Sequence, residues 1–284
     1  MLKKIFFAAA LLLASELIAK PVVIASIAPV EYLAKAVGGE KIEVQSLAKG
    51  DVHSYEPKPN DMKAVAKARI FIAAGLEFEE AWIPRFKASA KNLVVVKSDA
   101  KIAKLKEEQG EQAEHGEKHE AHADPHVWLN PMLAITMARN ISDALIDMDK
   151  ANKDFYLENF QKLMNDLLAF DESAKNELAG LKNRKFVVYH PAWGYFAAHY
   201  DLEQISIERS GKEPKIDEMA STLKMIKDEN IKVIFADPNR SQKSAQILAS
   251  QTGAKVELLD PLGYNLLENL KIAVGAIKDA NSPK

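Results

Sequence analysis

The feature that most restricts the fold is one unbroken apolar stripe in the middle of the chain. Tyr156, Phe160, Leu163, Leu167, Phe170, Ala174, Leu178 and Leu181 recur at steps of three and four, with no Pro or Gly until Gly180. Those steps return a side chain to one face of an α-helix, which predicts a helix of about 30 residues, close to 45 Å at 1.5 Å per residue. A rod of that length can brace two units at once. Asn130 and Pro131 open a helical span ahead of it, a capping side chain followed by a residue whose φ is already set for the first turn. A break is expected near Asp149–Asn152.

On either side of the rod, short β-branched runs alternate with amphipathic stretches. Val22–Ile27, Ile42–Leu47, Arg69–Ala73 and Leu93–Lys97 read as buried strands, with a helix such as Asp61–Lys67 that Asn60 or Asp61 can cap. After residue 183 the alternation resumes at Lys185–Tyr189, Leu202–Ile207, Lys232–Phe235 and Lys255–Leu258, with helices near 216–229, 242–252 and 264–279. Strands that alternate with helices build parallel sheets from βαβ units. The expected fold is therefore α/β: two Rossmann-like lobes with parallel sheets, joined by a long rigid helix. The lobes are expected at 20–130 and 183–284, with a helical linker at 131–182. A chain of 284 residues with 48% hydrophobic content suits two domains and excludes wholesale disorder, while zero Cys excludes a disulfide scaffold. With 38 basic against 40 acidic residues, a nucleic-acid partner is not expected.

Residues 1–19 pair Lys3 and Lys4 with an apolar run from Ile5 to Ala14 and a small-residue end at Ala19. That is the layout of a cleaved secretory signal, and the run is too short to span a bilayer. The mature protein is expected in the periplasm, without stable membrane insertion and as a monomer. A second segment, about 106–123, is polar, acidic and rich in His, and is expected to be a mobile surface loop.

The chain has seven His. His53 lies in DVHSYEPKPND, past the strand ending at Leu47; His126 lies in DPHVWLNP; His190 directly follows the strand FVVY in YHPAWGYF. His53 and His190 thus fall beyond strand carboxyl ends, where open α/β sheets place their ligand crevices. Pro57, Pro59, Pro125 and Pro191 stiffen these loops. Three neutral imidazoles suit Zn²⁺ and leave one tetrahedral position for a carboxylate or water. Asp124 is placed either to orient an imidazole or to cap a turn. His115, His119 and His122 on the acidic loop form an accessory, low-affinity metal collector, whereas His199 is expected at the surface.

Four segments in order, DVHSYEPKPNDM, DPHVWLNP, YHPAWGYF and LLDPLG, make the chain resemble the metal-binding receptors of ABC importers. It is most similar to the periplasmic zinc-binding (ZnuA-like) branch of the TroA-like superfamily. The resemblance implies a metal in the cleft between the lobes, held by His53 and His126 from the first lobe and His190 from the second. Asp260, in LLDPLG, matches a position that supplies a carboxylate in manganese-binding relatives; here the fourth ligand is Asp260, another carboxylate or water. The stretch IFADPNRS departs from the family pattern around Pro238. Where manganese relatives typically carry a carboxylate, this chain has His190, which favours zinc.

The function implied is capture of Zn²⁺ as cargo for a membrane permease and its ATPase, with no organic cofactor and no catalysis. A manganese or iron receptor is the alternative within the same class. A secreted zinc hydrolase is the alternative from another class, yet the chain has neither HExxH nor GxSxG. Binding is expected to weaken as pH falls through about 6.5, where free imidazoles protonate.

Overall fold

The computed structural model describes residues 20–106, 123–208 and 216–281. The signal-like segment and His115, His119 and His122 lie outside the described residues. The first lobe runs β1 (Val22–Ala25), α1 (Ala28–Gly38), β2 (Glu43–Ser46), α2 (Pro59–Val65), β3 (Ile70–Ala73), α3 (Glu77–Ser89) and β4 (Val94–Lys97). Two connecting helices follow, α4 (Pro131–Met148) and α5 (Lys153–Ala179). The second lobe runs β5 (Lys185–Val188), α6 (Gly194–His199), β6 (Glu203–Ser206), α7 (Ile216–Asp228), β7 (Val233–Ala236), α8 (Lys243–Thr252), β8 (Lys255–Leu258) and α9 (Leu266–Asn281).

Each lobe holds a four-stranded parallel sheet, in the order β2-β1-β3-β4 and then β6-β5-β7-β8. The central strands VVIA, IFIA, KFVV and VIFA are almost wholly buried, as strands covered on both faces must be. The edge strands EVQS, VVVK, EQIS and KVEL each carry a charged residue, which discourages pairing with another chain. The outer face of each sheet packs into its own apolar cluster, one around Phe71 and Phe86, the other around Ile234 and Leu248. The inner faces share one cluster that runs continuously from Val23 and Trp128 through α5 to Phe186, Phe235 and α9. That continuity fixes how the lobes face each other.

α5 has 27 residues, about 40 Å long at 1.5 Å per residue. It packs on α1 and α4 of one side and on α9 of the other through its buried stripe from Tyr156 to Leu178. Asn130 caps α4, its Oδ1 accepting from the N–H groups of Met132 and Leu133, with Pro131 at the first position. The cap of α2 differs from expectation. Pro59 opens that helix, Lys58 holds the cap position, and the Asp61 carboxylate reaches back to the Lys58 N–H at 2.8 Å. His199 also departs from expectation. Its Nε2 lies 2.6 Å from Asp171 Oδ1, tying α6 to α5, so it is a partly buried structural residue rather than a surface one.

Candidate metal centre

Three loops at the carboxyl ends of β2, β4 and β5 meet in the cleft between the lobes. The first is the segment between β2 and α2. Asp51 shapes it, Oδ1 accepting from the His53 N–H at 3.1 Å and Oδ2 from the Ser54 hydroxyl. At its far end the Tyr55 hydroxyl donates to Asp61, the Tyr55 ring packs edge-on against Phe78, and Pro57 is buried. This turn presents His53, the exposed member of the trio, at the cleft mouth. His126 precedes a short 3-10 turn, Val127–Leu129, whose three side chains are all in the core. His190 follows β5 where the sheet order switches direction.

The sequence-predicted trio comes together. The ligand-type nitrogens of His53, His126 and His190 all lie within 4.8 Å of one another, and the Nε2 atoms of His53 and His190 are 3.3 Å apart. Two nitrogens bound to one tetrahedral Zn²⁺ at 2.0–2.1 Å stand about 3.3–3.4 Å apart, so this separation fits without adjustment. Asp260 is not part of the cluster. Its Oδ1 accepts from the Asn239 side chain at 2.8 Å and from the Leu262 N–H at 2.9 Å, which makes it part of the platform under the β7–α8 loop.

Carboxylates orient the two buried rings. His126 Nδ1 lies 2.8 Å from Asp124 Oδ1, the orienting role considered for Asp124, and the same oxygen also accepts the His126 backbone N–H. His190 Nδ1 lies 3.0 Å from Glu208 Oε2. At His126 a proton held at Nδ1 by Asp124 leaves Nε2 free as a donor to a metal. Gly194 makes room for this arrangement: a Cβ there would stand 3.1 Å from Asp124 Oδ2.

Two charged residues of the site, Glu208 and Arg240, were not picked out from the sequence. Glu208 lies two residues past β6 and Arg240 four past β7, in the sheet that carries His190. Glu208, directly after the strand expected at Leu202–Ile207, offered a local signal, whereas Arg240, four residues past β7, offered none. The Arg240 guanidinium contacts Glu208 Oε2 and lies 2.7 Å from His190 Nδ1, and its other terminal nitrogen is 3.6 Å from Asp51 Oδ1.

The surroundings of His53 and His190 disfavour protonation of these two rings. The His53 residue is exposed overall but turns its ring toward those of His126 and His190, and loss of solvent around that ring, then His126 and Arg240, pull the imidazole down to about 4. Burial, followed by the same two neighbours and His53, holds His190 well below the ordinary imidazole range. Both shifts move proton competition at these two rings below the ordinary imidazole range. Burial pushes the Glu208 carboxyl up, against the downward pull of Arg240. Asp51 is also raised by burial, but Arg240, the His53 N–H and the Ser54 hydroxyl together outweigh it and hold the carboxyl below its usual range. The assembly offers a divalent cation three imidazole nitrogens at one point. Among the described residues no helix is long and apolar enough to cross a membrane.

The family model described as ZnuA, zinc-uptake complex component A, periplasmic, matches residues 23–280. The high-affinity zinc uptake system protein ZnuA of Bacillus subtilis (strain 168) is 30% identical, over 91% of this chain and 86% of its own length. The zinc-binding protein AdcA of Streptococcus pyogenes serotype M6 is 32% identical over 91% of this chain, which spans about half of that relative, 54%. A ZnuA crystal structure superposes with a TM-score of 0.86 at 35% identity, covering 93% of this chain and all of the other.

Proposed function

The chain belongs to the ZnuA family of periplasmic zinc-uptake components, a family of solute-binding receptors rather than enzymes, and from that premise we propose that it captures Zn²⁺ through His53, His126 and His190. The cargo would then pass to a membrane permease driven by an ATPase, outside the cytoplasm. The observation that carries this reading is the convergence of three imidazoles from both lobes, two of them at the nitrogen spacing of a tetrahedral zinc site. The choice of zinc over manganese rests on the donor set: imidazole nitrogen suits Zn²⁺, whereas Mn²⁺ favours oxygen. Water or a carboxylate brought in on binding fills the fourth position.

Metal analysis of protein purified without a His tag, followed by competition between Zn²⁺ and Mn²⁺, tests the proposal. One zinc per chain that Mn²⁺ fails to displace at equal concentration is the expected result. Preferential retention of Mn²⁺ would overturn the cargo assignment. Unchanged zinc affinity in two of the three variants His53→Ala, His126→Ala and His190→Ala would overturn the site.

A further inference from the structure

Resting on the zinc reading above, we propose that Arg240 is an interlobe latch: one guanidinium that positions a metal-binding ring from each lobe and so sets how slowly the cargo leaves. The contacts form a closed circuit. One terminal nitrogen of Arg240 meets Glu208 Oε2, the oxygen that faces His190 Nδ1. The other lies 3.6 Å from Asp51 Oδ1, the oxygen that accepts the His53 backbone N–H. Arg240 therefore reaches the His190 ring both directly, 2.7 Å from Nδ1, and through Glu208, and reaches the His53 backbone through Asp51; the Nε2 atoms of the two rings are 3.3 Å apart.

Four observations favour a built device over a chance surface pair. The Arg240 side chain is only 13% exposed and Glu208 5%, so neither charge is solvated as a surface group would be. The loop that carries Arg240 is braced: Asp237 Oδ1 accepts from the Asn239 N–H and side chain, the Arg240 N–H donates to the Asp237 carbonyl, and Asn239 is tied to Asp260. A planar fork can serve two acceptors in different directions, which a lysine ammonium on a flexible stem does not reproduce. Finally, three carboxylates (Asp51, Asp124 and Glu208) against one guanidinium leave a net −2 when ionised, equal and opposite to a divalent ion on three neutral rings.

The latch has an asymmetric consequence. Its buried half, Arg240 with Glu208, stays within the second lobe. Its half-exposed half, Arg240 with Asp51, crosses the cleft to the loop bearing the exposed ligand His53. Opening the cleft must break the Asp51 contact, so the latch acts on release and not on encounter.

Stopped-flow release of zinc to an excess of chelator separates these steps when run beside association kinetics, using the full mature chain. Asp51→Asn keeps the oxygen that accepts the His53 N–H, removes the charge facing Arg240 and gives up the acceptor of the exposed Ser54 hydroxyl, so Ser54→Ala is run beside it as the control for that lost bond. The expected outcome is that Arg240→Gln speeds release about 10-fold or more, the scale of outer-shell partners of metal ligands, and that Asp51→Asn speeds it by a smaller factor. The double variant is expected to release no faster than Arg240→Gln alone, Arg240→Lys is expected not to restore slow release, and association rates are expected to stay at the wild-type value. Unchanged release in Asp51→Asn, additive effects in the double variant, or equal changes in association and release would each overturn the latch. His126→Ala run in parallel keeps the two readings apart. Tight zinc binding by that variant would sink the three-His site itself, whereas its loss together with wild-type release in the Arg240 variants would sink the latch alone.

Discussion

The two lobes have the same strand order and opposite habits at the site. The first lobe takes its proposed ligands from loops after its two edge strands, β2 and β4. Each of these His has a carboxylate two residues earlier in sequence, Asp51 before His53 and Asp124 before His126, that accepts its backbone N–H. The second lobe contributes one proposed ligand, His190, from the end of the central strand β5 and supports it with Glu208 and Arg240 from the loops after the adjacent strands β6 and β7. The first lobe builds its half of the site from local turns, which need only short sequence separations. The second builds its half from tertiary charge contacts across the end of a sheet. A mutation in the first lobe should therefore alter one ligand, whereas one in the second should alter the ligand and the lobe together.

The largest effect should come from the ligands. His126→Ala and His190→Ala remove buried rings, and each is expected to weaken zinc binding by more than the roughly 100-fold upper range of outer-shell changes. Competition titration against a chelator of known affinity measures this. Next come the carboxylates, where the lobes should part. Asp124→Asn keeps an acceptor for the His126 N–H groups and is expected to cost about 10-fold in affinity with little change in stability. Glu208→Gln is expected to cost nearer 100-fold and to destabilise the apo protein by about 3 kcal/mol, because it leaves the buried Arg240 charge without its main partner. Thermal melts of the two apo variants sharpen the comparison. Equal loss of stability would remove the distinction between a local and a tertiary half-site.

A pH series tests a smaller effect that spans both lobes. His53 and His190 have folded-state pKa values below the 6.5 of an unfolded-chain imidazole. Between those values the unfolded chain binds more protons than the folded one, so apo stability is complete above pH 6.5 and falls as pH drops toward about 4. The same shifts protect the site. Two imidazoles of ordinary pKa would lose about thirtyfold in joint availability between pH 6.5 and 5.5, and zinc affinity is expected to fall by less over that interval. A drop as steep as the ordinary pair would mean that the rings are more solvated than their packing indicates.

What was legible in the sequence follows the same division. The rod α5, the cap of α4 at Asn130 and all eight strands read directly from local patterns, as did the two Pro-flanked ligand loops of the first lobe and His190 after FVVY. The resemblance supplied the convergence of the three rings, which no local pattern contains. α1 and α3 were not located: Pro84 inside α3 obscures the helical signal there, whereas Pro29, in the first turn of α1, is a start signal left unread. Glu208 and Arg240 were missed because their role exists only once β5, β6 and β7 lie side by side; in the chain they stand 18 and 50 residues from His190. Asp260, one of the options the resemblance offered for the fourth position, is held in a platform by Asn239 and the Leu262 N–H, contacts that no local pattern announces.

The smallest predicted effect concerns the seam between the lobes away from the rings. The Trp128 indole N–H, two residues past His126, donates to the Pro261 carbonyl of the second lobe at 2.7 Å, and the Trp128 side chain is wholly buried. Trp128→Phe keeps most of the apolar volume but leaves the carbonyl without this donor, a loss of about 1 kcal/mol. Because the bond joins the 3-10 turn beside His126 to the loop after β8, it resists separation of the lobes where the shared core already resists it. The expected result is therefore a small fall in Tm with zinc release within about twofold of wild type, well short of the outer-shell scale. Release accelerated as much as in Arg240→Gln would mean that lobe separation is governed at this buried seam and not at the charged rim, and the division drawn between the two half-sites would have to be moved.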